Sequence, residues 1–335
     1  IKEYDKLWEK INKLIGANKN NNYQLDFMNR VITTGENFAY LKIAEGCSNN
    51  CTYCAIPYIQ GKYISRPFEE IIKEAGQLAE KGIKELIVIA QDTTKYGVDL
   101  YGKSRFAELL EELCKIDGFK WIRFLYAYPE TITDELIEVV KKNDKICKYF
   151  DMPIQHISNK VLKRMNRKSD KESIENVITK IRKEIPNVIL RTTLIVGFPG
   201  ETEEDFNELY EFVKWARFDK LGCFTYSKED GTPAARLKEQ IHHATKKARH
   251  RKIMSLQQEI SKANLEEKIG RTYEALIENT SFDGKYYIGR TYMDVPEEDG
   301  VVFIQKTKEL PLGSFVECKI TEVRDYDLVG EMETL

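Results

Sequence analysis

From residue 38 onwards, apolar runs of strand length alternate with segments whose apolar residues recur at helical spacing. Such alternation favours βαβ units, in which helices join parallel strands and both faces of the sheet are buried. Six strands are predicted, over Ala39–Ala44, Glu85–Ala90, Trp121–Tyr126, Tyr149–Pro153, Val188–Val196 and Leu221–Tyr226. Five intervening helices are predicted, over Phe68–Lys81, Arg105–Lys115, Asp134–Lys142, Lys171–Glu184 and Glu203–Ala216, with Ser104, Thr133 and Thr202 as N-caps. The sequence therefore predicts an α/β fold, either a parallel sheet or a barrel, with both faces buried.

The pattern changes near residue 271, where short strands and turns replace the βα rhythm. Five strands are predicted, over Tyr273–Ile277, Tyr286–Arg290, Gly300–Ile304, Phe315–Thr321 and Leu328–Met332. So many short strands predict a small all-β, OB-like barrel. An amphipathic segment, Thr245–Lys268, precedes it, with Ile253, Leu256, Ile260 and Ile269 near one face. We divide the chain into a helix and linker (1–37), an α/β domain (38–235), a linking helical segment (236–268) and a β-barrel (269–335).

The composition of the chain indicates the cellular compartment in which it is found. No window approaches the ~20 consecutive apolar residues of a membrane helix, and residues 1–10 are too charged for a signal peptide. The 7 cysteines are an odd number in a long chain that is 42% hydrophobic, which suits a reducing compartment better than a disulfide scaffold. We therefore expect a cytoplasmic protein with no membrane partner, and a monomer. Because the chain starts at Ile1 rather than Met, we expect a fragment or a processed protein.

Cys47, Cys51 and Cys54 lie close together, directly after the first predicted strand. Iron–sulfur clusters are bound by Cys thiolates, often four. Three thiolates on a 4Fe-4S cluster leave one iron open, and that iron could bind a small molecule such as S-adenosylmethionine (SAM) through an amine and a carboxylate. A structural zinc site is the alternative, but it needs four ligands, usually in two pairs. The other cysteines are scattered, and Cys147, Cys223 and Cys318 lie in or beside apolar runs typical of a core.

The cysteine motif resembles that of the radical SAM superfamily, and the six βα units resemble its fold, a partial (β/α)6 barrel of the TIM type. Active sites of βα barrels lie at the carboxyl ends of the strands, and Cys47–Cys54 follow the first strand. The resemblance implies that SAM is bound by Tyr53, Gln91, Asp92, Arg191 and Gly197, with Asp92 and Arg191 as candidate catalytic residues. Tyr53 would lie near the adenine, and Gln91 and Asp92 near the amino group.

Each of the weaker candidates has a structural alternative. Arg191 could pair with a carboxylate of SAM or of a substrate, or it could form a structural salt bridge. Gly197 could let the backbone approach a ligand closely, or merely form a turn. His156 could be a general base, although a hydrogen-bonded structural histidine is the more common case.

A narrower resemblance is to the methylthiotransferases of this superfamily. It rests on the segment 46–57 with Gly61, Ser65 and Arg66, and the terminal β-barrel resembles their TRAM domain; it runs from about Tyr40 to the end of the chain. One branch modifies an isopentenyl-adenosine in tRNA, and another modifies one aspartate of ribosomal protein S twelve. The segments that resemble the second branch are 91–97, 126–129, 153–158 and 226–232.

The resemblance also implies a reaction. SAM on the open iron accepts an electron from an unidentified donor and yields a 5′-deoxyadenosyl radical, which removes a hydrogen atom from the aspartate β-carbon before the methylthio group is added. In relatives, an N-terminal domain with three more cysteines holds a second cluster. No cysteine precedes Cys47 here, so we expect that domain to be absent, with 1–37 as its remnant. We predict that this chain cleaves SAM without completing methylthiolation.

Charge supports the protein-modifying branch. Residues 268–335 contain 8 Lys/Arg and 14 Asp/Glu, a net charge of −6, whereas the whole chain carries −2. An acidic domain repels phosphate and attracts a basic partner such as a ribosomal protein, free or within the ribosome. Acidity that only aids solubility is the alternative. A function of a different class is also open: a non-enzymatic module that binds RNA or protein and contains a structural metal. The basic stretch 236–252 is the sequence feature that most favours it. Such a stretch is, however, more commonly a solvated face of a helix.

Overall fold

A computed structural model of the chain describes residues 10, 11, 13, 14 and 30–333. Six parallel strands form a partial barrel in which each strand lies beside its neighbours in chain order. Backbone hydrogen bonds such as Cys147 N to Ile122 O, 2.9 Å, join the two halves of three strands each. The strands are β1 (Phe38–Lys42), β2 (Glu85–Ile89), β3 (Trp121–Phe124), β4 (Tyr149–Asp151), β5 (Ile189–Val196) and β6 (Lys220–Thr225).

Helices cover the outer face of this sheet, because alternate strand residues point outwards and are apolar. Leu86 and Val88 of β2, for example, are fully buried in the core between strands and helices. The helices are α1 (Phe68–Glu80), α2 (Phe106–Cys114), α3 (Asp134–Lys142), α4 (Lys171–Glu184), α5 (Glu203–Ala216) and α6 (His243–Glu266). Shorter helical segments are Ile56–Gln60, Thr93–Lys95, Val98–Tyr101, Pro129–Thr131, Asn159–Arg164 and Pro233–Arg236.

The predicted helix caps are correct in two of three cases. Thr133 and Thr202 cap α3 and α5 through their side chains, and Thr202 forms a capping box with Asp205. Ser104 does not cap α2; Arg105 takes the N-cap position, and the Ser104 hydroxyl donates to the Thr94 carbonyl at 2.8 Å.

The terminal strands close into a small barrel, as predicted. They are β7 (Thr272–Thr280), β8 (Tyr286–Thr291), β9 (Val302–Gln305), β10 (Phe315–Arg324) and β11 (Asp327–Met332), paired around the barrel in the order β8-β9-β11-β10-β7. Ile269, predicted on the buried face of the preceding helix, instead lies beyond the end of α6 and is exposed. The predicted N-terminal helix and linker fall mostly outside the described residues, and the domain boundaries at 37, 235 and 268 stay predictions.

The small barrel packs against the amino ends of the parallel strands. The first residues of three strands make the contacts: Arg290 lies over the Phe38 ring, Trp121 stacks edge-on with Phe315 at 5.0 Å, and Lys220 pairs with Asp294 at 2.8 Å. The opposite, carboxyl edge of the sheet is therefore left for a site. We call the loops at that edge, 46–54, 91–95, 152–156 and 197–201, the barrel mouth.

A fully buried charge cluster fixes the two barrels together. Glu85 of β2 accepts from Arg123 of β3 and from Arg290 of β8, each at 2.7 Å, and Arg123 also donates to the Tyr292 carbonyl at 2.9 Å. Burial alone would raise the pKa of Glu85, but the two guanidinium groups lower it below its ordinary value.

In the part of the chain that the structure describes, no helix is both long and apolar enough to cross a membrane.

Replacing Glu85 by Gln should destabilise the protein by about 3–5 kcal/mol, because it leaves the fully buried Arg123 without an anion and removes one of the two carboxylates of Arg290, which keeps Glu278. Chemical denaturation measures this loss, and Glu322→Gln, which breaks an exposed pair with Arg324, should leave the stability nearly unchanged. Since the pKa of Glu85 is lowered on folding, its contribution is present at neutral pH and lost as the pH falls below 4.5, where wild type and variant should converge. Equal stability at pH 7 would contradict this role.

Candidate active site

The three-cysteine loop begins where β1 ends, at the barrel mouth. Gly46 takes φ 70°, and a Cβ there would lie 2.2 Å from the Lys62 carbonyl oxygen, so only glycine fits. This close approach lets Cys47 N donate to the Gly61 carbonyl at 3.1 Å, which closes the loop at its base. Cys47 and Cys51 are buried and Cys54 is half-buried.

The thiols are neighbours in one loop rather than a finished ligand set. Among residues 30–333 and the few described before them, no three His, Cys, Asp or Glu side chains converge closely enough to hold a metal ion. Burial raises the pKa of Cys47 and of Cys54, while the Asn49 backbone N–H, 3.5 Å from the Cys47 sulfur, acts in the opposite direction. Buried thiols of this kind become good ligands when a cation offsets the cost of their ionisation.

Asp92 anchors the cysteine loop to the loop after β2. Its side chain is fully buried and accepts from Asn49 Nδ2 at 2.9 Å and from Thr94 Oγ1 at 2.7 Å, with Lys95 Nζ at 3.4 Å. The Asp92 carbonyl accepts from the Tyr63 hydroxyl at 2.8 Å. The neighbouring Gln91 is exposed at the mouth. The structure thus separates the two predicted residues, one inside the loop framework and one open to a ligand.

Tyr53 and Gly197 belong to one aromatic corner of the mouth. The Tyr53 ring meets Phe198 edge-on at 6.5 Å, and Phe198 meets Tyr226 in the same way at 5.3 Å. Gly197 has φ 72°, and a Cβ there would come within 2.3 Å of the Lys246 side chain. Both properties require glycine at this position.

The turn that contains Gly197 is held by a buried carboxylate. Glu201 Oε2 accepts from the backbone N–H groups of Gly197 and Phe198, at 2.6 and 3.1 Å, and Arg249 donates to Oε1 at 2.8 Å. Burial raises the pKa of Glu201 to about 7, although these donors act to lower it. Gly197 is therefore part of a rigid turn.

Arg191 lies inside the barrel among carboxylates of both domains. Its guanidinium is 3.4 Å from Asp151, 3.4 Å from Glu298 and 4.0 Å from Asp299. The last two residues belong to the loop between β8 and β9, which enters the barrel from its amino end; Tyr149 donates to Asp299 there at 2.7 Å. These contacts favour the structural salt-bridge alternative for Arg191 over direct binding of SAM.

His156 is a structural residue. It is fully buried, and its Nδ1 accepts from the Ser158 backbone N–H at 3.0 Å, which leaves the proton on Nε2, 3.8 Å from Glu201. Burial lowers the pKa of His156 to about 3. A neutral ring with its acceptor nitrogen already engaged cannot serve as a general base at the mouth.

Arg167 was missed by the sequence interpretation. Its side chain is buried, stacks over the Tyr128 ring at 4.2 Å and donates from Nη2 to the Pro153 carbonyl at 3.0 Å. Its Nε and Nη1 have no hydrogen-bond partner among the described residues. Burial lowers the pKa of Arg167, but Tyr53, Tyr128 and Cys51 outweigh this and raise it, so the Arg167 cation interacts electrostatically with Cys51.

Comparison with known proteins gives consistent results. The radical SAM superfamily pattern matches residues 41–213, and the TRAM domain pattern matches residues 269–332. Ribosomal protein uS12 methylthiotransferase RimO of Alkaliphilus oremlandii is 66% identical over 335 residues, which are 100% of this chain and 76% of that protein. The protein of the same name from Clostridioides difficile is 58% identical and covers 90% of this chain and 68% of its own length.

Solved structures support the fold alone. Coproporphyrinogen III oxidase (HemN) from Escherichia coli, a radical SAM enzyme, superposes with a TM-score of 0.53 at 15% identity, over 79% of this chain and 68% of that one. A radical SAM methyltransferase from Kitasatospora setae, TsrM, superposes with a TM-score of 0.50 at 16% identity, over 59% of this chain and 38% of that one.

Asp92→Asn should weaken the cysteine loop, because an amide cannot accept from Asn49, Thr94 and Lys95 as a carboxylate does. We expect a loss of about 1–3 kcal/mol in stability and a lower content of iron and sulfide after anaerobic reconstitution. Asp205→Asn is the matched control, since Asp205 is also buried but bonds Ser158, Thr202 and Lys160, away from the cysteines. Equal metal content in both variants would contradict the anchoring role; Cys51→Ser sets the level of a damaged site.

Proposed function

We propose a function for this chain from the family to which it belongs. The chain is a member of the radical SAM superfamily and, within it, of the family of ribosomal protein uS12 methylthiotransferases. Proteins of this family are transferases that attach a methylthio group to uS12, the S twelve protein. This chain spans 76% of the Alkaliphilus oremlandii protein, and SAM cleavage without completed methylthiolation stays our prediction for the chain alone. The relatives confirm the branch predicted from the sequence and give no support to the tRNA branch. The family implies a 4Fe-4S cluster and SAM as cofactors.

The cluster ligands in this proposal are Cys47, Cys51 and Cys54. Three observations support them: they share one closed loop at the carboxyl edge of the sheet, the buried Arg167 cation interacts electrostatically with Cys51, and the other four cysteines lie elsewhere in the fold. Three thiolates make the site anionic, which suits the unpaired guanidinium nitrogens of Arg167. When bound together, the cluster and SAM supply one-electron cleavage of SAM, whose adenosyl fragment removes a hydrogen atom from the substrate.

The chain's own residues position these groups. Asp92, through Asn49 and Lys95, holds the cysteine loop against the loop after β2. Gln91, exposed beside it, is the better candidate to contact the SAM amino group. Tyr53 offers an aromatic edge, and the Glu201-supported turn at Gly197 offers backbone that a ligand can approach without a side chain in the way. We assign Tyr53 and Gly197 to the adenosine side of the site.

Arg191 has a different part in this proposal. Its ion pairs with Asp151 and Asp299 connect the inside of the partial barrel with the small barrel, so it positions the floor of the cavity and does not touch SAM. Glu298 is more exposed, with 60% of its side chain accessible, and is the one partner of Arg191 that a substrate could displace.

The target in uS12 is proposed to be the β-carbon of one aspartate. Ribosomal proteins are typically basic, and the net charge of −6 over residues 268–335 favours association with such a partner. Because the small barrel lies at the amino ends of the strands, its acidic surface does not line the mouth. It therefore attracts and holds uS12 at a distance from the reacting carbon.

Arg167→Met should lower the midpoint potential of the reconstituted cluster, because a nearby cation stabilises the added electron. The free energy of reduction should become less favourable by roughly 2–3 kcal/mol, for a unit charge at roughly 5–10 Å in an effective dielectric constant of about 20. Arg167→Lys keeps the charge and should recover most of the potential. A spectroscopic redox titration measures it; identical potentials in wild type and Arg167→Met would show that Arg167 only packs.

The substrate assignment is tested by binding. The anaerobically reconstituted protein is titrated with labelled uS12 and, separately, with a tRNA anticodon stem-loop, each at two salt concentrations. We expect tighter, salt-sensitive binding of uS12, which a variant with three acidic surface residues of the small barrel neutralised (Glu317, Glu322 and Glu331 to Gln) should weaken. Preference for the stem-loop would contradict the assignment.

A further inference from the structure

The chain has a second region of strong charge, opposite in sign to the small barrel. Residues 236–252 contain seven Lys/Arg and a single acidic residue, Glu239. They run from the turn Pro233–Arg236 into the first half of α6. No step proposed for the methylthiotransferase uses this segment.

Three of these cations form contacts within the fold. Arg249 is buried and pairs with Glu201 at 2.8 Å and with Glu203 at 3.1 Å. Lys246 donates to the Tyr226 carbonyl at 2.8 Å and lies over the Tyr226 ring. Lys252 is 4.0 Å from Glu203. These three are accounted for by the fold.

The other four have no such partner. They are exposed, and none forms an ion pair within residues 30–333: Arg236, Lys238, Lys247 and Arg251. Unpaired surface cations at this density repel one another, and an anionic partner relieves that repulsion.

The helical members share one face. His243, Lys247 and Arg251 follow at intervals of four residues, so their side chains lie one above another along α6. The buried face, with Ile253, is turned towards the sheet. We call Arg236, Lys238, His243, Lys247 and Arg251 the basic face.

The basic face borders the barrel mouth. Just before it, Ala234 N donates to the carbonyl of Thr52, inside the cysteine loop, at 2.9 Å. Within it, the Glu239 carbonyl accepts from Gly200 N at 2.8 Å, in the turn after β5. The cations are thus tied to the two loops that flank the candidate active site, at the end of the molecule opposite the acidic barrel.

We propose that the basic face binds the phosphate backbone of RNA beside the mouth. The inference rests on the proposed function, because a ribosomal protein substrate has ribosomal RNA as its neighbour. Lys and Arg in a row neutralise successive phosphates, and the face includes no Phe, Tyr or Trp side chain on which a base could stack. Its recognition is therefore of backbone charge and not of sequence.

The basic face and the acidic barrel lie at opposite ends of the molecule and bind different partners. The acidic barrel contacts the basic protein, and the basic face contacts RNA at the opposite edge. An acidic protein segment is the alternative partner for the basic face. We favour RNA because a substrate surrounded by RNA brings phosphate groups close to this face. The enzyme therefore recognises uS12 within its ribosomal surroundings.

The test compares a triple variant, Arg236→Gln, Lys247→Gln and Arg251→Gln, with a control of equal charge change, Lys73→Gln, Lys81→Gln and Lys183→Gln, whose residues are exposed on α1 and α4. The probe is a fluorescein-labelled RNA hairpin of arbitrary sequence, followed by anisotropy over a series of salt concentrations. We expect the slope of log affinity against log salt to fall by about one unit per residue replaced, hence by about three, and to stay unchanged in the control.

Three outcomes would overturn the proposal: no binding of the hairpin by wild type, an equal loss in both variants, or tighter binding of a polyglutamate peptide than of RNA. Binding of isolated uS12 is measured in parallel and should be the same in wild type and triple variant. Loss of uS12 binding in every protein would reject the proposed substrate instead, so the two failures are distinguishable. All the replaced residues are exposed, and circular dichroism verifies that the variants are folded.

Discussion

The direction of the six parallel strands is the constraint on which the rest of the structure depends. Parallel strands joined by helices bring all their carboxyl ends to one edge, whatever the sequence between them. That edge receives the cysteine loop after β1, the Asp92 loop after β2 and the Gly197 turn after β5. The other edge would expose the interior of the barrel, and the small β-barrel covers it. Glu85, Arg123 and Arg290 fix that cover in place because none of the three charges can be buried alone.

Electrostatics then assigns different tasks to the two ends. At the mouth, the Arg167 cation interacts electrostatically with Cys51, where thiolates and a cluster would accumulate negative charge. At the floor, Arg191 is neutralised by carboxylates that come partly from the small barrel. Further out, an acidic barrel and a basic helix face lie at opposite ends, which orients a partner made of basic protein and RNA.

Much of this was predictable because it depends on local pattern. Patterns among neighbouring residues predict the cysteine motif (Cys47, Cys51 and Cys54), the six strands and the terminal barrel. The structure and the relatives confirm the fold and the family. The contacts that decide individual roles are not local. Asn49 meets Asp92 across 43 positions, and Arg191 meets Glu298 across 107. Arg167 meets the Tyr128 ring and the Pro153 carbonyl from a distant loop, and no spacing rule marks it.

Transfer of a labelled hydrogen atom tests the central claim most directly. Reconstituted protein, SAM and a reductant are incubated with uS12 whose aspartates carry deuterium on the β-carbon, and 5′-deoxyadenosine is analysed by mass spectrometry. We expect deuterium to appear in 5′-deoxyadenosine and Cys51→Ser to abolish this transfer. SAM cleavage with no deuterium from uS12, or with label taken only from a deuterated tRNA, would contradict the claim.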